Sequence, residues 1–386
     1  MIDKTLFGAV MALFTLSLIM SYTLSEYTVF YYGYDDLHFF IRQSAAIALG
    51  ILLIVGLSRL DPDHWFVPLG FAIFLLSLTA MIVMPFMPET LVKSVLGAKR
   101  WIRLGPVSLA PVEFFKVGFV FFLGWSFSRK MLQHERLSLI EEAKVIFPYL
   151  LVFGVAVVLI AIFQKDLGQV AVLAVTLMVL FIFAGRSVRI FAILLGLGIG
   201  AFVALIWIAP HRIARFKSWW STVQDTFLQF FPADMVGRFR VDAAQEPYQI
   251  ANSLNAIKHS DFWGQGLGAG QFKLGYLSEV HTDFILAGMT EELGYLSLVG
   301  VSLLILLIVY RLFKIAATVE NPAYYLFSVG VGLLIIFAFL VNSYGISGMT
   351  PIKGIAVPFL SYGGSQIVAS SLAIGMVLMV SKRRVR

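Results

Sequence analysis

The stretch from Gly275 to Gly294 holds the side chains best suited to moving a proton. Glu279, His281 and Asp283 stand in its polar half, and Glu291 and Glu292 follow about two helical turns inside an apolar segment that runs to Tyr310. A charge at that depth in a membrane helix costs roughly 2.5–3.5 kcal/mol, so these carboxylates mark a place where the chain needs polar chemistry. Asp283 falls at the junction of loop and span, half in water and half in lipid. Burial and neighbouring charge tune such a carboxylate toward a general base. The plainer alternative is an N-cap, with the carboxylate accepting backbone N–H groups at a helix start. His281 and its neighbouring carboxylates could also hold a divalent cation such as Mg or Mn, although the spacing matches no zinc motif.

Cations and a second polar group accompany this acidic cluster. Lys93, Lys99, Arg100 and Arg103 crowd the loop 87–111, either as solvated charges or as an anion site. Glu113 and Lys116, three apart, share a helix face. They either neutralise each other or line a cavity beneath that loop. Asp166, between two short-linked spans, reads as a structural cap. The segment from Asn342 to Gly364 is broken by glycine and proline and carries Lys353 and Ser361. It is a kinked packing helix or a cavity wall with one more cation. Carboxylates beside Lys99, Arg100, Arg103 and Lys353 suit a lipid-linked pyrophosphate. The cations meet phosphate, a carboxylate activates a hydroxyl, and apolar surface takes the lipid tail. The competing class is a channel or proton-coupled transporter, which would carry acids or histidines at mid-span in several helices.

The elements that must position these residues are membrane helices. Of 386 residues, 59% are hydrophobic and only 13% charged, and the mean hydropathy is +0.88; a soluble chain is about a quarter charged. The net charge of +7 does not imply nucleic acid, because the basic residues are scattered at helix ends, as positive-inside topology requires. With no cysteine, disulfides, thiolate metal sites and a Cys nucleophile are excluded. Runs of about 20 apolar residues predict an all-α polytopic membrane protein, one domain over 1–386, with ten transmembrane helices: 6–24, 37–57, 65–86, 112–128, 144–163, 167–184, 188–209, 284–310, 323–342 and 355–380. Lys4, Arg59, the group 129–144, Arg186, Arg189, Arg311, Lys314 and the C-terminal basic cluster put both termini in the cytoplasm. The loop 87–111, facing outward, breaks the rule. The one large extracytoplasmic loop, about 210–282, joins the seventh and eighth helices. It opens with a basic aromatic piece suited to an interfacial helix from His211, continues to a short helix over 248–257, and turns through the Gly-rich run 264–270. No strand precedes that run, so a nucleotide-binding loop does not fit.

Several motifs stand together in order: Gly97-Ala98-Lys99-Arg100-Trp101-Ile102, Glu113 with Lys116, Asp166-Leu167-Gly168, Gly266-Leu267-Gly268, His281-Thr282-Asp283-Phe284-Ile285, Glu291-Glu292-Leu293-Gly294 and Pro358 through Ser365. By these the chain resembles the SEDS family (shape, elongation, division, sporulation), which includes FtsW and RodA, from the second span to the tenth. Lys273 and Lys353 are nearer the FtsW branch. The resemblance implies a ten-helix fold in the bacterial cytoplasmic (inner) membrane. It implies peptidoglycan glycosyltransferase activity on lipid II at the outer, periplasmic face, here for septal synthesis in cell division. It also implies partnership with an FtsI-like class B penicillin-binding transpeptidase and other divisome proteins. The family's essential acid falls on Asp283, its outer-loop tryptophan on Trp101, and its embedded acid–base pair on Glu113 and Lys116. Substrate-binding candidates are then Lys99, Arg100, Trp101, Arg103, Glu113, Lys116, Glu279, His281, Lys353 and Ser361. The alternatives are a lipid II flippase and the elongation-specific polymerase. Lys165, Ser278, Gln366 and Ala110-Pro111-Val112 depart from the family pattern, which affects local loop shape rather than Asp283.

Overall fold

A computed structural model describes residues 3–94, 97–105, 107–130, 138–185, 187–208, 210–232, 236–237, 239–241, 248–351 and 354–383. Among the described residues the chain is helical apart from one small hairpin. The helices are α1 (Lys4–Thr23), α2 (Glu26–Tyr32), α3 (His38–Arg59), α4 (Pro62–Val83), α5 (Pro111–Lys130), α6 (Leu139–Val158), α7 (Leu167–Phe183), α8 (Val188–Trp207), α9 (Pro210–Leu228), α10 (Tyr248–His259), α11 (Ile285–Ala316), α12 (Pro322–Ile346) and α13 (Gly364–Val380). A helix lies over each of the ten apolar runs. Seven are long and apolar enough to cross a membrane, and an eighth if the bent pair Phe191–Trp207 and Arg212–Ser221 is one span. The short α7 and α5, with Glu113 and Lys116 near its start, fall outside that count.

Two boundaries differ from expectation. The last run was expected to be helical from 355, but α13 begins at Gly364, and 355–363 forms an irregular wall. Loop 87–111 is not a plain connection either: Ile102–Leu104 (β1) and Val107–Leu109 (β2) pair antiparallel, with Arg103 opposite Ser108. The sequence Arg-Leu-Gly-Pro places turn formers between two short alternating runs, which is a hairpin signal.

One apolar core runs from Leu6 in α1 to Val380 in α13. Its densest aromatic knot joins α4, α5 and α12: Phe66 meets Phe121, Tyr324 and Phe327 edge to face at 4.9–5.3 Å, the preferred geometry for π quadrupoles. α6 ends in a π-helical turn, Leu159–Phe163. Wide turns of this kind free a carbonyl, and here Ala161 O accepts from the guanidinium of Arg212 at 2.6 Å.

The helix that follows Asp283 is broken. Gly294 in α11 adopts φ 76° and ψ 178°, a conformation only glycine takes without strain. The carbonyls of Glu291 and Glu292 turn outward and accept from Gln265 N and Gly266 N, both at 2.9 Å. The Gly-rich run therefore docks its backbone on the opened helix. Side chains complete the clamp. Glu291 Oε1 accepts from Gln271 N at 2.7 Å. Buried Lys273 pairs with Glu292 at 3.1 Å and Glu26 at 2.9 Å, and donates to the carbonyls of Thr23 and Gly268. The buried acids of α11 thus anchor the Gly-rich loop.

Candidate active site

Asp283 sits one residue before the N-cap of α11, on a turn wound around a single carbonyl. Glu279 O accepts from the backbone N–H groups of Thr282 and Asp283, each at 3.1 Å. That turn requires Glu279 at φ 55°, a left-handed conformation unusual for a side-chain-bearing residue. Two buried groups fix the turn from behind. Asn342 Nδ2 donates to Asp283 O and Ile355 O, both at 2.7 Å. Ser361 Oγ donates to Thr282 O at 2.7 Å and accepts from Val357 N at 2.8 Å. The irregular wall 355–363 is in turn tied to α3, where Gln43 donates to Ser361 O and accepts from Gly363 N, each at 3.2 Å.

The half-buried carboxylate of Asp283 opens into two cavities. One, of about 500 Å³, is lined by Arg100, Trp101, Glu113, Asp166, Glu279 and Tyr362. The other, of about 550 Å³, is lined by Arg100, Trp219, Tyr248, Gln249 and Glu279. Arg100, Glu279, Asp283 and Gly354 form the ridge common to both. Arg100 also faces a third, mostly apolar groove of about 300 Å³, with Lys165, Arg212, Phe202 and Ile206.

Electrostatics separate the roles of these groups. Burial, reinforced by the charges of Glu279 and Asp166 and opposed by Arg100, pushes the Asp283 carboxyl up to about 7. Loss of hydration disfavours the charged form, and like charges nearby add to it. Asp166 is raised too, by burial first, with Arg100 opposing. It caps α7 by accepting from Gln169 N at 3.2 Å and lies 3.7 Å from Arg100. Arg100 is held rigidly: Nε donates to Gln164 O at 2.8 Å and Nη2 to Lys165 O at 3.1 Å. Below them Lys116 pairs with Glu113 at 2.8 Å, and Gln169 Nε2 donates to Glu113 Oε1 at 2.9 Å.

The candidates read from the sequence thus divide. Asp283, Glu279, Arg100, Trp101 and Glu113 meet in the first of these cavities, and Lys116 closes its floor. Lys99 is turned away, its Nζ donating to Pro85 O at 2.8 Å. Arg103 is exposed on β1. Ser361 is buried within the wall and His281 behind it, between the rings of Phe39 and Tyr362. Burial holds the His281 imidazole below its ordinary pKa, against the pull of Glu279. Lys353 lies outside the described residues. The cationic surround expected of Lys99, Arg100, Arg103 and Lys353 therefore reduces, among described cleft residues, to Arg100. Lys165 and Arg212 are cations the sequence reading did not assign to the site. It also passed over Asp166 as a lining residue, along with Gln169, Tyr362 and Trp219; the Asp166-Leu167-Gly168 motif was the available signal. Among the described residues no group of three or more His, Cys, Asp or Glu converges to hold a metal.

The sequence model of a cell cycle protein family, FtsW/RodA/SpoVE, matches residues 3–386. The chain belongs to the FtsW/RodA/SpoVE family. Within that family it is 44% identical over 381 residues to a Helicobacter pylori protein named "Probable peptidoglycan glycosyltransferase FtsW", covering 98% of both chains. It is 30% identical to a protein of the same name from Trichlorobacter lovleyi, covering 98% of this chain and 93% of that one. The fold is that of the family's solved members. The rod shape determining protein RodA of Thermus thermophilus superposes with a TM-score of 0.66 at 22% identity, over 100% of this chain and 98% of RodA. A chain of a peptidoglycan synthase complex that coordinates polymerization and crosslinking superposes with a TM-score of 0.69 at 22% identity, over 99% and 98%.

Proposed function

We propose that this FtsW/RodA/SpoVE family member is a peptidoglycan glycosyltransferase that polymerises lipid II into β-1,4 glycan strands. The observation that carries the reading is the position of Asp283. One carboxylate, raised to about 7, lies on the ridge between two polar cavities with Arg100 beside it. A transferase needs two sugar sites meeting at a base, and a base works best with its pKa near the working pH.

In one displacement, the acceptor sugar's 4-hydroxyl oxygen attacks the anomeric carbon of the donor. Asp283 takes the hydroxyl proton as the new C–O bond forms. The bond from the anomeric carbon to the pyrophosphate oxygen breaks, and the lipid pyrophosphate leaves with its electron pair. One in-line step converts an α-linked donor to a β-linked product. Arg100, fixed by two backbone carbonyls, stands ready for the developing phosphate charge; a donor that need not reorganise during the reaction stabilises it most. Glu113, Lys116 and Gln169 shape the cleft floor.

The chain then functions as one domain with ten spans, both termini cytoplasmic and the cleft on the outer side of the inner membrane. The distribution of lysine and arginine supports this orientation. The names of the relatives at 44% and 30% identity support a septal role over an elongation role, and with it an FtsI-like class B penicillin-binding transpeptidase and other divisome proteins as partners.

The test supplies lipid II on the outer side of a bilayer only, to the chain co-purified with its transpeptidase. Polymer forms with the native chain and is lost with Asp283→Asn, whose expression is native-like and whose melting is no lower than native. A flippase would leave outer lipid II unchanged. Near-normal glycan from Asp283→Asn would remove Asp283 from the role.

A further inference from the structure

Between the first two long helices the chain carries aromatic residues that the proposed reaction does not use. In Glu26-Tyr-Thr-Val-Phe-Tyr-Tyr-Gly-Tyr-Asp-Asp36 nearly every second residue is a ring, and lysine and arginine are absent. α2 places much of this on the surface: Phe30 is 87% exposed, and Tyr31 and Tyr32 are each 66% exposed. Tyrosines at the ends of spans commonly line the membrane interface; this set differs in its acidic flank and in its ring contacts toward the cleft.

A chain of ring contacts leads from the patch to the cleft by way of the buried Phe39. Tyr362 lines the cavity that holds Trp101 and Glu113, and its ring lies 5.0 Å from that of Phe39. From Phe39 the rings follow at 5.9 Å to Tyr34, 6.0 Å to Tyr32, 5.1 Å to Tyr31 and 5.8 Å to Tyr27. Tyr27 in turn packs on the backbone of Gly275, where the polar stretch before Asp283 begins; a Cβ there would stand 2.8 Å from Tyr27 Cζ. Arg42 holds the Tyr362 hydroxyl.

Resting on the glycosyltransferase reading above, we propose that this aromatic track binds the growing glycan strand as it leaves the cleft. The C–H faces of a β-1,4-linked hexose pack flat on exposed aromatic rings, while ring hydroxyls and flanking carboxylates take the sugar's polar edge. Tyrosine, apolar in body and polar at its tip, suits that surface. Asp35 and Asp36 stand among the rings, while Glu26 at the start of α2 is paired with Lys273. An anionic lipid surface attracts basic rather than acidic flanks, so the charge favours sugar over lipid headgroups.

The test changes only exposed rings away from the cleft. Tyr31→Leu with Tyr32→Leu keeps apolarity but removes the flat faces; Tyr31→Trp with Tyr32→Trp keeps them. Purified lipid II is polymerised by each form in complex with the transpeptidase, and initial rate and product length are read separately. The leucine pair should consume lipid II within about twofold of the native rate, yet make strands shorter by about threefold or more, the equivalent of one lost aromatic contact. The tryptophan pair should restore length. Native-length strands from the leucine pair would overturn the track. So would rate and length falling together, as from a general loss of folding or membrane seating, or loss of co-purified transpeptidase with length unchanged. If the native chain makes no polymer at all, the glycosyltransferase reading falls first and the track with it.

Discussion

The backbone of Gly354 lies against the carboxylate of Asp283: a Cβ on Gly354 would stand 2.6 Å from Asp283 Oδ2. Any side chain there must displace the carboxylate from the ridge between the two cavities. Gly354→Ala should therefore lower kcat for lipid II polymerisation by about 10–100-fold, the effect of an ångström-scale misplacement, with a native-like thermal midpoint. Steady-state kinetics beside a melting curve check this, and an unchanged kcat would mean that Asp283 has room to work elsewhere.

The raised Asp283 carboxyl fixes the pH response. With a folded pKa of about 7, the base form fills as pH rises. Turnover should climb about tenfold per unit below that value and level off above it. Stability runs the other way. The folded state holds this proton more tightly than the unfolded chain, whose carboxyl titrates near 3.9. The contribution is complete below about pH 3.9 and is lost as pH rises through about 7. Asp283→Asn should accordingly melt higher than the native chain above pH 7, with the difference vanishing toward pH 4. Paired melting curves across that range test the sign.

Much of this was legible in the sequence, and the reasons differ by residue. A helix over each of the ten apolar runs was legible because a span needs about 20 apolar residues, though among the described residues only seven or eight are long and apolar enough to cross a membrane. Asp283 was legible because a carboxylate at the loop–span junction violates that economy. Which loop cations face the cleft was not legible. Lys99, Arg100 and Arg103 are close neighbours in sequence, but only folding onto the Gln164–Lys165 turn selects Arg100. His281 and Ser361 carry motif positions yet are buried away from the cleft, because a turn that presents one carboxylate needs buried struts. The break at Gly294 was hidden because glycine is ordinary in membrane helices; the paired glycine loop that opens it lies some thirty residues earlier.

Among the cations read from the sequence, Arg100 should stand apart in function. Its guanidinium is held by two carbonyls and faces all three cavities, a planar fork that lysine does not reproduce. Arg100→Lys should cut kcat/KM for lipid II by about tenfold or more, the scale of one charge-assisted hydrogen bond. Lys99→Ala and Arg103→Ala should each stay within about threefold. Equal losses at all three positions would point instead to a diffuse electrostatic field.

Lys273 and Glu292 are both fully enclosed and 3.1 Å apart, and removing one partner strands a buried charge at a cost of about 3–5 kcal/mol. Lys273→Met should therefore destabilise the chain strongly. Glu292→Gln alone should cost less, because Lys273 keeps Glu26 and two carbonyls as partners. In the double variant the stranded charge disappears, so its loss should be smaller than the sum of the two single losses. A double-mutant cycle on thermal midpoints measures that coupling, and simple additivity would show that the two side chains do not act as a pair. Because the same clamp docks the Gly-rich loop on the opened turn of α11, limited proteolysis of Lys273→Met should cut first between Phe262 and Tyr276, ahead of the core helices.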